Sequence, residues 1–261
     1  MTIGERILLS LSRAPGGNDY QLKGRETTID SALDLLHRVY PNLSDLVSEK
    51  RVADFGCGTG YQSIALVKNY NCSVLGIDTN KKTLNKAIDN AKKHNFSSQQ
   101  LSFVESISPS MRNNFDVVIS QNGFEHFGNP AQILDEMNQL LNDSGIILLT
   151  FGPPWFAPYG SHMHFFCKVP WINILFSEKS VMNARSHFRN DGANKYEEVE
   201  SGLNKMTIRR FESTVHSRNL KIRYQKYDCI KGMNWLSKLP LVRELLINHV
   251  TVILVGPHDK A

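Results

Sequence analysis

The chain has 261 residues, 41% of them hydrophobic and 21% charged, enough to bury one large core without disulfides or metal and with no need of a second domain. Its cysteines, Cys57, Cys72, Cys167 and Cys229, show no short paired spacing, which argues against a Cys-x-x-Cys motif and for a reduced, intracellular setting. No basic region followed by an apolar run opens the sequence, and no stretch approaches the roughly eighteen apolar residues of a membrane span, so a soluble, cytoplasmic protein is expected. The net charge of +5 is uneven, with eleven Lys and Arg against four Asp and Glu in residues 201–261. These charges form no unbroken basic run and read as a solvated face rather than a nucleic-acid footprint.

In chain order, Ala14-Pro15-Gly16-Gly17-Asn18 is loop-like and placed to close over a ligand. Residues 27–40 put Ile29, Leu33, Leu36 and Tyr40 three or four apart, with Thr near the start and Pro41 just after, which predicts an amphipathic helix beside a pocket. Val52-Ala53-Asp54-Phe55 then predicts a buried strand running into Gly56-Cys57-Gly58-Thr59-Gly60 and an apolar helix. Glycines at alternate positions there allow a tight turn, a close backbone approach to a ligand and close packing of helix on strand. Asp54 ahead of them repels phosphate and suits an amino-bearing ligand. Val74–Asp78 predicts a second strand ending in an acid that can accept from both hydroxyls of a ribose. A helix over 81–94, strands over 101–105 and 115–120, a helix over 131–141 and a strand over 145–150 follow, an alternation that argues for a parallel sheet covered on both faces.

Residues 50–152 resemble the class I S-adenosylmethionine-dependent methyltransferases, whose first motif reads acidic-x-Gly-x-Gly-x-Gly as Asp54 to Gly60 does. The resemblance is closest to small soluble members in which Glu-His, here Glu125-His126, follows the fourth strand. It implies an α/β, Rossmann-like fold with a seven-stranded, mostly parallel sheet, helices on both faces, the last strand antiparallel, and a lid insertion after the fifth strand. The implied cofactor is S-adenosyl-L-methionine, with Asp54, Gly56, Cys57, Gly58, Gly60, Asp78, Thr79, Ser106, Ile107 and Gln121 around it. The implied activity is methyl transfer to a small-molecule acceptor, O-methylation first. N-methylation of an amine, RNA methylation and a catalytically silent, cofactor-binding regulator remain the alternatives. The family's Asn-Pro-Pro-Tyr motif for base methylation is absent, so nucleic acid is disfavoured as a partner, and at most a second copy of the chain is expected beside the acceptor.

Past Thr150, some fifty residues carry no clear core element, far more than a plain connection needs. A single domain is therefore expected in four parts: a helical cover over 1–49, a cofactor-binding core over 50–151, a lid over 152–204, and a closing helix (205–218) and strands (220–227, 250–255) over 205–261. The lid holds the densest aromatic run, with Trp155, Tyr159 and Trp171 as expected acceptor contacts. His162 and His164, two apart in an extended segment, would face the same side and offer a base or substrate ligand. Glu125 and His126 are the other candidates for proton removal. Asn122-x-x-Glu125-His126 resembles the Glu-x-x-Glu-His cation site of ubiquinone-pathway O-methyltransferases and small-RNA end methyltransferases, but departs at the first ligand. A hard cation needs that lost carboxylate, so no metal is expected.

Overall fold

A computed structural model describes residues 1–12, 28–199, 201–240 and 242–256. The loop expected to close over the ligand at Ala14–Asn18 lies outside the described residues. The elements are α1 (Ile3–Leu11), α2 (Ile29–Val39), α3 (Leu43–Val47), β1 (Arg51–Phe55), α4 (Tyr61–Tyr70), β2 (Ser73–Ile77), α5 (Lys81–Lys92), β3 (Leu101–Val104), β4 (Phe115–Gln121) and α6 (Pro130–Leu140). They continue with β5 (Leu141–Phe151), α7 (Ile172–Leu175), α8 (Glu178–Ser186), α9 (Ile208–Ser217), β6 (Lys221–Cys229), α10 (Arg243–Leu246) and β7 (Ile247–Val255). All seven expected strands form, and the five expected helices appear as α2, α4, α5, α6 and α9.

The strands make one sheet in the order β3-β2-β1-β4-β5-β7-β6. β1 to β5 run parallel, and β7 is antiparallel to both β5 and β6. Chain order reverses between the neighbours β1 and β4, so the carboxyl ends of these strands open a crevice of the kind that receives ligands in such sheets. Because β7 runs the other way, its start pairs with the end of β5, Val250 facing Phe151. Residues at the head of β7 therefore reach the same edge.

Two apolar layers cover the sheet. Leu134, Met137 and Leu140 of α6 and Phe211 and Val215 of α9 pack on one face with Val118, Leu149 and Val252. Leu36 and Val39 of α2 and Ile64 and Leu66 of α4 pack on the other with Val52, Val117 and Leu148. The three-to-four spacing seen in the sequence is what turns these side chains to one side of each helix. Thr28 caps α2 by accepting from the Ser31 N–H at 3.1 Å. β5 starts earlier than expected, directly after α6, because the run Asn142–Gly145 joins the strand opposite an irregularity between Phe115 and Val117.

The lid differs from expectation in what its aromatic residues do. Met163, Phe166, Cys167, Ile172, Val181, Met182 and Tyr196 form a third buried cluster, to which α1 adds Leu8. Much of the aromatic run is spent on the lid's own core. α1 lies on α8, with Thr2 Oγ1 and Ser180 Oγ 3.0 Å apart and Asn183 Nδ2 donating to Glu5 Oε2 at 3.4 Å. The amino-terminal segment thus splits: α2 covers α4, whereas α1 belongs to the lid.

Candidate cofactor and acceptor site

The turn after β1 is held by its neighbour strand, Gly56 N and Cys57 N donating to Ile77 O at 2.8 and 3.1 Å. Gly56 and Gly60 adopt φ values of +80° and +78°, where a side chain is strained. At Gly60 a Cβ would also sit 2.8 Å from the Ala87 side chain and 3.0 Å from Phe103, so the glycine is what lets α4 start so close to α5. Asp54 is 1% exposed, and its two oxygens accept from Gln62 Nε2 at 2.7 Å and Ser63 Oγ at 2.6 Å. Burial pushes its carboxyl up to about 6 against the pull of those hydrogen bonds. Asp54 therefore ties β1 to the first turn of α4 rather than reaching into open space, a correction to its expected place against a ligand. Cys57 is buried, and desolvation raises its thiol.

Over this turn opens a cavity of about 700 Å³ whose lining includes Gly56, Asp78, Thr79, Ser106, Ile107 and His126. Phe127, on the loop after β4, Arg112, in the turn before β4, and Glu136, on α6, also line it and were not singled out in the sequence. Asp78 Oδ2 accepts from Gly58 N at 2.8 Å, and Oδ1 from Asn80 N at 2.8 Å and Thr83 Oγ1 at 3.3 Å. An ionised carboxylate has about four acceptor positions, so the group is oriented and keeps capacity for a ligand hydroxyl. Gln121, at the end of β4, has a buried Nε2 with no partner. Gly56 in the lining and an oriented acid just after β2 fit an adenosyl group, whereas Gly58, Gly60 and Gln121 are not among the residues lining this cavity.

Beyond β4 the loop carries Glu125, 2% exposed, whose Oε1 accepts from Gly152 N at 3.1 Å while Oε2 has no partner. Burial raises its carboxyl above the ordinary range. His126 Nδ1 lies 2.7 Å from Gly202 O. A carbonyl only accepts, so Nδ1 carries the proton in the neutral ring and Nε2 keeps a lone pair. The His162 ring meets that of His126 edge to face at 5.4 Å, and burial, then His126, depress it to about 4.

His164 is elsewhere. His162 takes φ +56° and donates its N–H to Tyr159 O at 2.9 Å, so the segment is a turn and not extended. The two imidazoles diverge, and His164 is exposed beside Tyr159 at 5.5 Å. Tyr159 reaches Lys168 O at 3.4 Å and Trp171 Nε1 donates to Phe156 O at 3.1 Å, contacts within the lid. Trp155 packs against Tyr196 at 4.9 Å. None of these three aromatic side chains lines the large cavity.

A second cavity, about 330 Å³, adjoins the first and is lined by His126 and Gly128, which both share, and by Glu197, Leu203, Lys205 and Arg210 among others. The lid does contribute here, through its last turn rather than its aromatic run. Lys205 and Arg210 read as solvated charges in the sequence because nothing in a local pattern shows which face the lid will cover. His249 was likewise missed: at the head of β7, its Nε2 is 3.1 Å from Asn122 Oδ1. Among the described residues no group of three or more His, Cys, Asp or Glu is placed to hold a metal ion.

Residues 46–152 match the family model described as a methyltransferase domain. A glycine/sarcosine/dimethylglycine N-methyltransferase of Actinopolyspora halophila is 28% identical over 52% of this chain and 25% of its own length. A ubiquinone biosynthesis O-methyltransferase of Psychrobacter arcticus is 33% identical over 39% of this chain and 40% of its own. The matches to these curated relatives thus span well under half of their length. The solved S-adenosylmethionine-dependent methyltransferase of Mesorhizobium loti superposes over 88% of this chain and 99% of its own with a TM-score of 0.54 at 13% identity, a likeness of fold. With the glycine turn, the acid after β2 and the sheet order, these findings identify residues 46–152 as a methyltransferase domain, in a fold shared with S-adenosylmethionine-dependent methyltransferases.

Proposed function

We propose that the protein transfers the methyl group of S-adenosylmethionine to the oxygen of a small-molecule acceptor. One observation carries this reading: His126 and Gly128 line both the large cavity over the glycine turn and the smaller one beneath the lid. The bound cofactor would supply an electrophilic methyl group. Asp78 would hold its ribose, with Ser106 and Ile107 beside the adenine and Gln121 at its amino-acid end. The Nε2 lone pair of His126 would receive the acceptor's proton, and in-line alignment with exclusion of water would do the rest.

An amine acceptor is the second reading, favoured by the relative from Actinopolyspora halophila, whose name specifies N-methylation. Nucleic acid is not the acceptor in this proposal: Lys205, Arg218, Lys226 and Arg243 of the basic carboxyl-terminal region are each engaged by a carboxylate. All four cysteines are free and buried, in keeping with a reduced, cytoplasmic setting, and no described helix is long and apolar enough to cross a membrane. Incubating the protein with methyl-labelled cofactor and fractionated metabolite pools tests the reading. A labelled small product supports it; tight cofactor binding with no product from any pool would leave a silent binding protein.

A further inference from the structure

We infer that the acceptor carries a carboxylate, received by Arg210 across the second cavity, while its nucleophile faces His126. This deepens the proposed methyl transfer and rests on it. The two cations lining the cavity are in different states. Lys205 Nζ is already held by Glu178 at 3.1 Å and Glu197 at 3.0 Å, and it sits 5.8 Å from the centre of the Trp155 ring and 5.7 Å from that of Tyr196. Its charge is spent on the wall. Arg210 is exposed, and its Nη1 donates to the neutral carbonyl of Asn204. Among the described residues no carboxylate lies within ion-pair distance of it. One of its five N–H donors is anchored, and the planar fork remains free for the paired hydrogen bonds that match a carboxylate.

Spacing is set by the lid's last turn. Gly202 O holds His126 and Asn204 O holds Arg210. Those two residues are two apart in the chain, so their Cα atoms are separated by no more than roughly 7 Å. The imidazole and the guanidinium are therefore anchored to neighbouring points of one strap and bracket a molecule of a few bonds, or a single ring, rather than a chain. A cavity of about 330 Å³ suits a ligand of that size. The acceptor class this defines is a small hydroxy acid or amino acid with its carboxylate at the open, Arg210 side.

Calorimetry on the full chain tests the assignment, with 4-hydroxybenzoate, 3-hydroxybutyrate and glycine as carboxylate probes and the matching primary amides as neutral controls, each with and without S-adenosylhomocysteine. The expected result is at least one carboxylate bound tenfold or more tightly than its amide, a preference lost in Arg210→Gln, partly kept in Arg210→Lys, and unchanged in Arg209→Gln. Wild-type melting temperature in these variants excludes misfolding as the cause. Equal affinity for acid and amide across the panel, no binding of any acid below 10 mM, or an unchanged preference in Arg210→Gln overturns it. Titration of S-adenosylhomocysteine alone reports separately on the methyltransferase reading.

Discussion

His126 and His162 meet edge to face, ring centroids 5.4 Å apart at 83°, where the loop after β4 touches the lid. The contact divides their roles. His162 is depressed by burial and is a poor proton acceptor at neutral pH, while His126 has Nδ1 committed to Gly202 O and Nε2 open. Replacing His126 by Ala is expected to lower turnover by about two to four orders of magnitude. His162→Gln should cost less than about tenfold and His164→Ala almost nothing. Initial rates at saturating cofactor decide this, and near-native turnover in His126→Ala would remove it as the base.

The same depression makes a stability prediction. A histidine held near 4 in the folded protein and near 6.5 in the unfolded chain takes up a proton on unfolding between those pH values. Its contribution is present above pH 6.5 and lost as pH falls towards 4, up to roughly 3 kcal/mol at the acid end. Urea unfolding at pH 7.5, 5.5 and 4.5 should show wild-type stability declining, with a visibly flatter decline in His162→Gln. Parallel curves for the two proteins would show that the imidazole is solvated.

Asp78 is the single side chain on which cofactor affinity should depend most. Asp78→Ala removes the proposed ribose acceptor and the anchor of Gly58 together, at an expected cost of about 1.5–3 kcal/mol in S-adenosylmethionine binding. Asp54→Ala should instead act through the fold, lowering the melting temperature by freeing Gln62 and Ser63. Unchanged cofactor affinity in Asp78→Ala would move the ribose elsewhere.

Turnover is expected to need no added cation. Asn122 stands where the metal-using relatives have a carboxylate, and its Oδ1 is occupied by His249 at 3.1 Å and the Thr150 hydroxyl at 3.4 Å. Dialysis against a chelator should leave the rate unchanged. Loss of activity restored by magnesium or zinc would reassign Glu125 and His126 as ligands.

The sheet and the turn beneath the large cavity were legible because they obey short-range rules. Val52–Phe55 and Gly145–Thr150 are mostly apolar runs of strand length that fold as buried strands, and Gly56 and Gly60 stand where the backbone demands them. Gly56, Asp78, Thr79, Ser106 and Ile107 line one cavity, while Asp54, Cys57, Gly58, Gly60 and Gln121 are not among its lining residues. The acceptor side was far less legible. Whether Trp155 faces a ligand or packs on Tyr196 depends on how the lid folds on itself. His162 and His164 part company through a single left-handed residue. Arg210 and His249 enter only because α9 and the head of β7 arrive at that edge, a consequence of topology that no local pattern encodes.

The docking of α1 on α8 has a practical consequence for anyone handling the protein. Leu8 is fully buried in a cluster otherwise drawn from residues 163–203, so the lid is completed by a piece of chain from the far end of the sequence. Cleavage after Ser12, or a bulky tag pulling on Thr2, would act on the acceptor side while leaving the glycine turn untouched. An amino-terminal fusion could report intact cofactor binding and yet misstate the choice of substrate; a carboxyl-terminal one avoids that hazard.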